Sequence, residues 1–198
     1  IEFFVLLRIA PGDPVDAMYG AGADELAREN MREELGLNDP IFYQYLVFLR
    51  NLISLNLGKS LSTQEPVIEI IKKAMPASIE LGIISIFFAI LIGLPIGYLG
   101  LKNKNNKFDY FSRLFGISTY AIPPFWGAMM AQLLFSIVFS IFPIGGRFPI
   151  FLEPPSSSGF YILDSILNND FLAFKSAMLH IALPSITLGF LLSGIFSR

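Results

Sequence analysis

An uncharged stretch from Leu81 to Leu101 constrains the fold of this chain more than any other feature of its sequence. As a helix, these 21 residues extend about 31 Å at roughly 1.5 Å per residue, close to the ~30 Å hydrocarbon core of a bilayer. A buried helix of a soluble domain is usually shorter and is polar on one face. The stretch therefore predicts a membrane-spanning helix, with bounds at residues 77–101.

The composition agrees with a membrane protein and excludes several classes of soluble enzyme. Only 15% of the residues are charged, against about 25% in ordinary soluble domains, and 54% are hydrophobic. The net charge of −2 gives no indication of a nucleic-acid partner. The chain has no cysteine, and His180 is its only histidine, which excludes thiolate and multi-histidine metal sites. We therefore predict no catalytic residue, metal or cofactor, and no enzymatic activity.

Two further apolar stretches predict additional spans. The first carries Pro123 and Pro124 at its centre, so that residues 108–121 form either a separate helical piece or a tilted first half. The second contains Pro184. The sequence predicts an all-α, polytopic chain. Its transmembrane segments are the end of helix 1 (residues 1–9), helix 2 (77–101), a kinked helix 3 (111–142) and helix 4 (177–197). Between them lie an extracytoplasmic helical region (10–76), a cytoplasmic loop (102–110) and an extracytoplasmic loop (143–176).

The orientation follows from the short loop after the second helix. It carries Lys102, Lys104 and Lys107, and Arg113 follows closely. Short basic loops stay in the cytoplasm by the positive-inside rule. The sequence therefore predicts that Ala77 lies outside, that Leu101 lies inside, and that the chain emerges inside again at its end.

The polar region between the first two spans predicts short helices separated by breaks. Residues 10–14 contain two prolines and break any helix, whereas residues 25–35 have Asp24 as a cap and Gly36 after their end. A second helix follows Pro40 and is apolar but short, which favours an interfacial helix or one packed on the bundle. A third short helix is expected over residues 66–75.

Small residues recur along two of the predicted spans and mark candidate packing positions. They follow one another at steps of three or four, which places them on one helix face and allows another helix to approach closely. Small residues are also simply common in membrane helices, and that alternative stays open. The packing and gating candidates are Gly82, Gly93, Gly97, Pro123, Pro124, Pro184 and Gly189.

Two ionisable side chains are possible polar sites. Glu80 lies about one turn inside the second helix, where a hydrated boundary residue or a helix-end hydrogen bond is favoured over a proton carrier. His180 lies near the start of the fourth helix, where an interfacial or packing role is favoured. Ion-coupled carriers usually have ionisable groups near mid-membrane, which these spans lack.

An ordered set of short motifs covers nearly the whole chain. The motifs are PGDP (residues 11–14), REELGLNDPIFYQYLVFL (32–49), LNLGKS (55–60), MPASIELGIIS (75–85), IGLPIGYLG (92–100), IPPFWGAMM (122–130), FPIGGR (142–147) and HIALPSITLG (180–189). Together they resemble the permease subunits of ABC importers of the dipeptide/oligopeptide/nickel type. The resemblance implies a six-helix permease bundle of the type I importer kind, of which this chain holds the end of helix 1 and helices 2–4.

The same resemblance implies a function and a set of partners. The chain is expected to form half of a translocation path in the cell membrane, together with a homologous second permease subunit. Two cytoplasmic ATPase subunits would drive transport, docking on a loop expected just after Arg198, and an extracytoplasmic solute-binding protein would deliver a peptide or a related solute such as nickel. A passive channel or an ion-coupled secondary carrier is the alternative, and a membrane enzyme or scaffold ranks last.

Overall fold

The computed structural model of this protein describes residues 4–6, 15, 24–34, 36–60, 62–102, 106–155 and 157–197, and its regular elements there are helices. The chain divides into two compact units, Ile1–Lys73 and Ala74–Arg198. The predicted break at residues 10–14, most of the first helix end, Lys104 of the basic loop and Arg198 lie outside the described residues.

Two short helices lie within the described residues of the first unit from residue 24 onward, α1 (Glu25–Glu34) and α2 (Ile41–Ile53). Gly36 ends the α1 region with φ +63°, and the N–H of Leu37 donates to the carbonyl of Arg32, as glycine-terminated helices commonly do. Helix α2 buries none of its own residues, although the ring of Phe4 packs on two of its aromatic side chains. Both helices were predicted with nearly these bounds.

Helix α3 (Val67–Lys102) is continuous across residue 76, where the sequence predicts the end of the extracytoplasmic region and the start of the second transmembrane helix. The sequence predicts a boundary at Pro76, but the helix continues on both sides of it and also passes through Pro95. A proline removes only one helical hydrogen bond, and helices of membrane proteins tolerate that loss. The ring of Pro76 is buried and lies against Gly159, which further holds this turn in place.

Two helices meet at the double proline, α4 (Lys107–Ala121) and α5 (Pro124–Gln132). The axis of α4 and that of the whole helical stretch Pro124–Val138 differ by 93°. Ile122 has ψ 119° and Pro123 has ψ 129°, so two consecutive residues are extended. Each of them precedes a proline, which disfavours helical backbone at the preceding residue. The expected kink is therefore a complete break of the helix.

Helix α5 continues as π-helical turns over Leu133–Val138 and ends four residues before the predicted bound of 142. Ser140 has φ 51°, which turns the chain away from the helix axis. Residues 139–170, called the connecting segment below, contain the short helix α6 (Tyr161–Leu167) and lead to α7 (Phe171–Phe196). Helix α7 begins six residues earlier than predicted because the carboxylate of Asp170 caps it, accepting from the N–H of Ala173.

Helices α3 and α7 pack side by side and run in the same direction. Gly189 lies against Ser85 near the start of the contact, and Gly97 lies against Ser197 near its end. The residue numbers of the two partners rise together, as they do in parallel helices.

The contacts that α4 and then α5 make with α7 move back from the end of α7 as their own residue numbers rise. Ser112 of α4 donates a hydrogen bond to the carbonyl of Ser197, and Gly127 of α5 lies against Leu191. By length and composition, α3 and α7 can each cross a membrane, and the bent α4–α5 pair is a third candidate within the described part of the chain.

Candidate functional site

A seam of small residues joins α3 to α7. All of its members are buried: Ser85, Ala89, Gly93 and Gly97 on α3, and Ser185, Gly189, Ser193 and Ser197 on α7. A Cβ atom added to Gly189 would lie 2.6 Å from the Cβ of Phe88 and 2.7 Å from the carbonyl oxygen of Ser85. A Cβ at Gly93 would lie 2.7 Å from the Cβ of Phe196. The two backbones therefore approach as closely as glycine alone allows.

The seam does not include every small residue that the sequence singled out. A Cβ added to Gly82 would meet no heavy atom of the described residues within 4 Å, so its face of α3 is open there. Conversely, two contacts with α4 were not predicted: Gly100 lies against Ser112, and Gly194 lies against Thr119. The sequence of α4 contains a pattern that predicts a packing face for these contacts, because its small buried residues recur at steps of four and three.

The candidate polar site lies where the connecting segment meets α3. A guanidinium nitrogen of Arg147, Nη2, donates to Oε2 of Glu80 at 3.0 Å and to the carbonyl of Gly159 at 2.9 Å. The other carboxylate oxygen of Glu80 accepts from the N–H of Ile162, in the first turn of α6, at 2.9 Å. The guanidinium also lies 4.0 Å from the ring centre of Tyr161, a cation–π distance.

This cluster corrects the interpretation of Glu80. The side chain is only 9% exposed and is ion-paired, so it is not a hydrated boundary residue, although it does bond to the N-terminal turn of a helix. Arg147 stands in the sequence only as the end of the FPIGGR motif, and no local pattern connects it to a glutamate 67 positions away.

A second carboxylate organises the connecting segment from within. Asp164 is fully buried and accepts hydrogen bonds from Ser157, Ser158 and the N–H of Gly159. Burial by itself would raise the pKa of the Asp164 carboxyl, but the bonds from the hydroxyl and amide groups of Ser158 and Ser157 outweigh it and lower the pKa to about 2. The group is therefore ionised and holds residues 157–159 around the start of α6.

We expect Asp164→Asn to lower the free energy of unfolding by about 1–3 kcal/mol, because several donors lose a charged acceptor. The pKa of Asp164 is lowered in the folded state, so its contribution is fully present above the ordinary value of 3.8 and is lost as the pH falls toward about 2. Thermal unfolding of both proteins measured from about pH 6 downward should show the difference shrinking below about pH 4. A difference that does not change with pH would contradict an ionised Asp164.

Among the cavities formed by the described residues, two lie on either side of His180 and Pro184 in α7. The first, of about 140 Å³, is lined by Glu80 and Arg147 together with residues of α6 and α7, and the second, of about 270 Å³, lies between α5 and α7. His180 and Pro184 line both of them. His180 is half-buried, and its Nδ1 lies 2.7 Å from the carbonyl oxygen of Ser176.

The remaining predicted positions lie apart from this site. Gly93, Gly97 and Gly189 are in the seam, and Pro123 and Pro124 are at the break between α4 and α5. Within the described residues, no three side chains of histidine, aspartate or glutamate come together as a metal site would require.

Known transport proteins match this chain along almost its whole length. The probable D,D-dipeptide transport system permease protein DdpB of Escherichia coli is 35% identical over 98% of the chain, which covers 58% of that protein. The chain is a homologue of peptide-transport permeases. The dipeptide transport system permease protein DppB of Alkalihalophilus pseudofirmus is 33% identical over 100% of the chain, which covers 60% of that permease.

The di/tripeptide transport system permease protein DppB of Pseudomonas aeruginosa is 32% identical over 98% of the chain, which again covers 58% of the relative. The chain thus spans less than two thirds of the length of these permeases. No protein-family model matches it. The relatives confirm the resemblance drawn from the motifs, and the apolar helices agree with a membrane location.

Proposed function

We propose that this chain is part of a multi-pass permease subunit that forms half of the translocation path of an ATP-driven importer of short peptides. The observation that carries the proposal is the 31–35% identity to dipeptide and di/tripeptide permease proteins along at least 94% of the chain. Nothing among these relatives favours nickel as the solute, so the proposal names peptides.

The packing directions support three complete crossings. Two parallel membrane helices, α3 and α7, start on the same side, so the chain between them has to return across the bilayer. The contacts of α4 and then α5 progress along α7 from its end toward its middle without turning back, which favours a single bent span over a re-entrant loop. The basic residues Lys102, Lys107 and Arg113 at one end favour the cytoplasm there and place the connecting segment outside.

The energy source is proposed to lie on other subunits. The span from Leu81 to Leu101 carries no acidic, basic or histidine side chain, and the ion pair of Glu80 lies toward the opposite end of α3 from the basic loop. An ion-coupled carrier would need such a group at the solute path. Two cytoplasmic ATPase subunits, a second permease and an extracytoplasmic solute-binding protein are the partners that the proposal requires.

We expect a strain that lacks the gene for this permease to lose most uptake of radiolabelled dialanine, and the restored gene to return it. Uptake should stop when cellular ATP is depleted and should persist when a protonophore removes the ion gradient while ATP is maintained. The purified full-length protein should bring down an ATPase and a second permease. Uptake that follows the ion gradient and ignores ATP would instead support a secondary carrier.

A further inference from the structure

Helix α2 carries an apolar face that is exposed in the structure. Phe42, Leu46, Leu49 and Ile53 follow one another at steps of four, three and four, which places them on one side of the helix. The exposed fractions are 70% for Phe42, 46% for Leu46 and 82% for Ile53. An exposed apolar face of this kind marks a surface for a lipid or a protein partner.

The opposite side of α2 is polar. It carries Gln44 and Asn51, and the amide of Gln44 donates to two carbonyl groups of the chain that leads into the helix. Tyr43 and Arg50 lie between the polar and apolar sides and are exposed. Tyrosine and arginine at such a boundary are typical of helices in a membrane–water interface, where their apolar parts face lipid and their polar ends face the headgroups.

Phe4 places α2 beside the predicted end of the first transmembrane helix. Its ring centre is 5.4 Å from that of Tyr45 and 5.3 Å from that of Phe48. Tyr45 and Phe48 lie on the flank of α2 that is across the helix from Arg50, again between the apolar and polar sides. A helix that lies in the interface plane contacts an upright neighbour through such a flank, and its apolar side is then directed into the bilayer.

The depth of Phe4 fits the same position. Residues 4–6 are helical, and the first transmembrane helix is predicted to end at residue 9, five residues after Phe4. Five residues extend about 7.5 Å along a helix, and interfacial helices bury their apolar face about 5–10 Å into the boundary between headgroups and acyl chains. With 13 residues, or about 20 Å, α2 is too short to cross the ~30 Å hydrocarbon core itself.

We propose that α2 lies in the plane of the outer leaflet beside the first transmembrane helix, with Phe42, Leu46 and Ile53 among the lipid acyl chains. The proposal rests on the proposed function, from which it takes the membrane crossing of that first helix. Lipid is the occupant because the apolar face is directed into the bilayer. A soluble partner that approaches from outside meets the side of Gln44 and Asn51 instead.

The test places a nitroxide spin label at Phe42→Cys or Ile53→Cys in the full-length permease, assembled with its partners in phospholipid nanodiscs. Any cysteine outside these 198 residues is first replaced by serine. We expect both labels to be more accessible to oxygen than to a water-soluble nickel chelate, at similar depths of about 5–10 Å below the phosphates. The two positions are 11 residues apart on one side of α2, so an upright helix would separate their depths by about 16 Å.

Glu33→Cys is the control, because Glu33 is exposed on the polar helix α1 of the same unit, and its label should be reached by the nickel chelate. Labels on α2 that the chelate reaches as readily, or that neither reagent reaches because protein covers them, would overturn the proposal. Either result with dialanine uptake intact leaves the proposed function standing. Uptake also shows that each labelled protein is folded, and Leu46→Cys, on the same side, replaces a variant that is not.

Discussion

Gly93→Ala should destabilise this protein by about 1–3 kcal/mol, whereas Gly82→Ala in the same helix should be neutral or slightly stabilising. The added methyl at Gly93 meets the carbonyl oxygen of Ser193 and the Cβ of Phe196, which belong to a backbone that cannot rotate away. At Gly82 none of the described atoms lies within 4 Å of the added methyl, so only the higher helix propensity of alanine is felt. Thermal unfolding of the purified protein in detergent, followed by circular dichroism, measures both changes.

A larger side chain should increase the difference in stability between the Gly93 and Gly82 variants. Gly93→Leu should prevent α3 and α7 from packing and should leave little folded protein, while Gly82→Leu should still fold, because its face of α3 is open. Gly189→Ala tests the same seam from the α7 side, where a Cβ would lie 2.6 Å from Phe88. Equal stability of the Gly82 and Gly93 variants would contradict close backbone packing at the seam.

The sequence predicts the two faces of the seam because helical spacing is a local property. A step of four residues places Gly93 above Ala89 on α3, and the same step places Ser193 above Gly189 on α7. Local spacing cannot say where along the helix the contact begins. Gly82 follows the same period, yet the structure leaves it open, since the buried contact with α7 begins only at Ser85.

At the double proline, the sequence predicts the position of the helix break but not the angle between the two helices. Pro123 and Pro124 mark where the helix is interrupted, because each disfavours helical backbone at the residue before it. The 93° angle depends on what α4 and α5 pack against on either side, and no sequence pattern contains that information. In the same way, the contact of Pro76 with Gly159 joins residues that are far apart along the chain, and no local pattern predicts it.

The polar site was the part least accessible to sequence reasoning. Glu80 and Arg147 are 67 residues apart, and their pairing requires the connecting segment to fold back over the start of α3. In the sequence Asp164 is one polar residue of a predicted outer loop, whereas five hydrogen bonds from residues 157–159 make it the centre of that segment. Long-range pairs of this kind are invisible to periodicity and composition.

Arg147→Met should destabilise the protein by about 1–3 kcal/mol after allowance for the partial exposure of Arg147. The variant leaves the carboxylate of Glu80 buried with only the N–H of Ile162 as a partner among the described residues. The double variant Glu80→Gln/Arg147→Met should recover part of the loss, because no unpaired charge then remains. Unfolding of the two single variants and the double variant gives the coupling between the side chains.

The same substitution should loosen the connecting segment. One thiol introduced into this chain can measure the change, because these 198 residues contain no cysteine. Ala177 is 3% exposed and lines the first cavity, so Ala177→Cys should react slowly with a polar maleimide while Arg147 holds the segment in place. Adding Arg147→Met should raise the labelling rate several-fold, and adding Glu80→Gln to that pair should lower it again.

Lys73→Met is the control, because it removes a cation whose partner Glu65 lies 3.7 Å away and both side chains are largely exposed. A surface pair of this kind contributes about 0–1 kcal/mol, so neither stability nor labelling at residue 177 should change appreciably. If Arg147→Met and Lys73→Met have the same small effect on both measurements, the ion pair does not fasten the connecting segment, and the bonds of Asp164 alone must hold it.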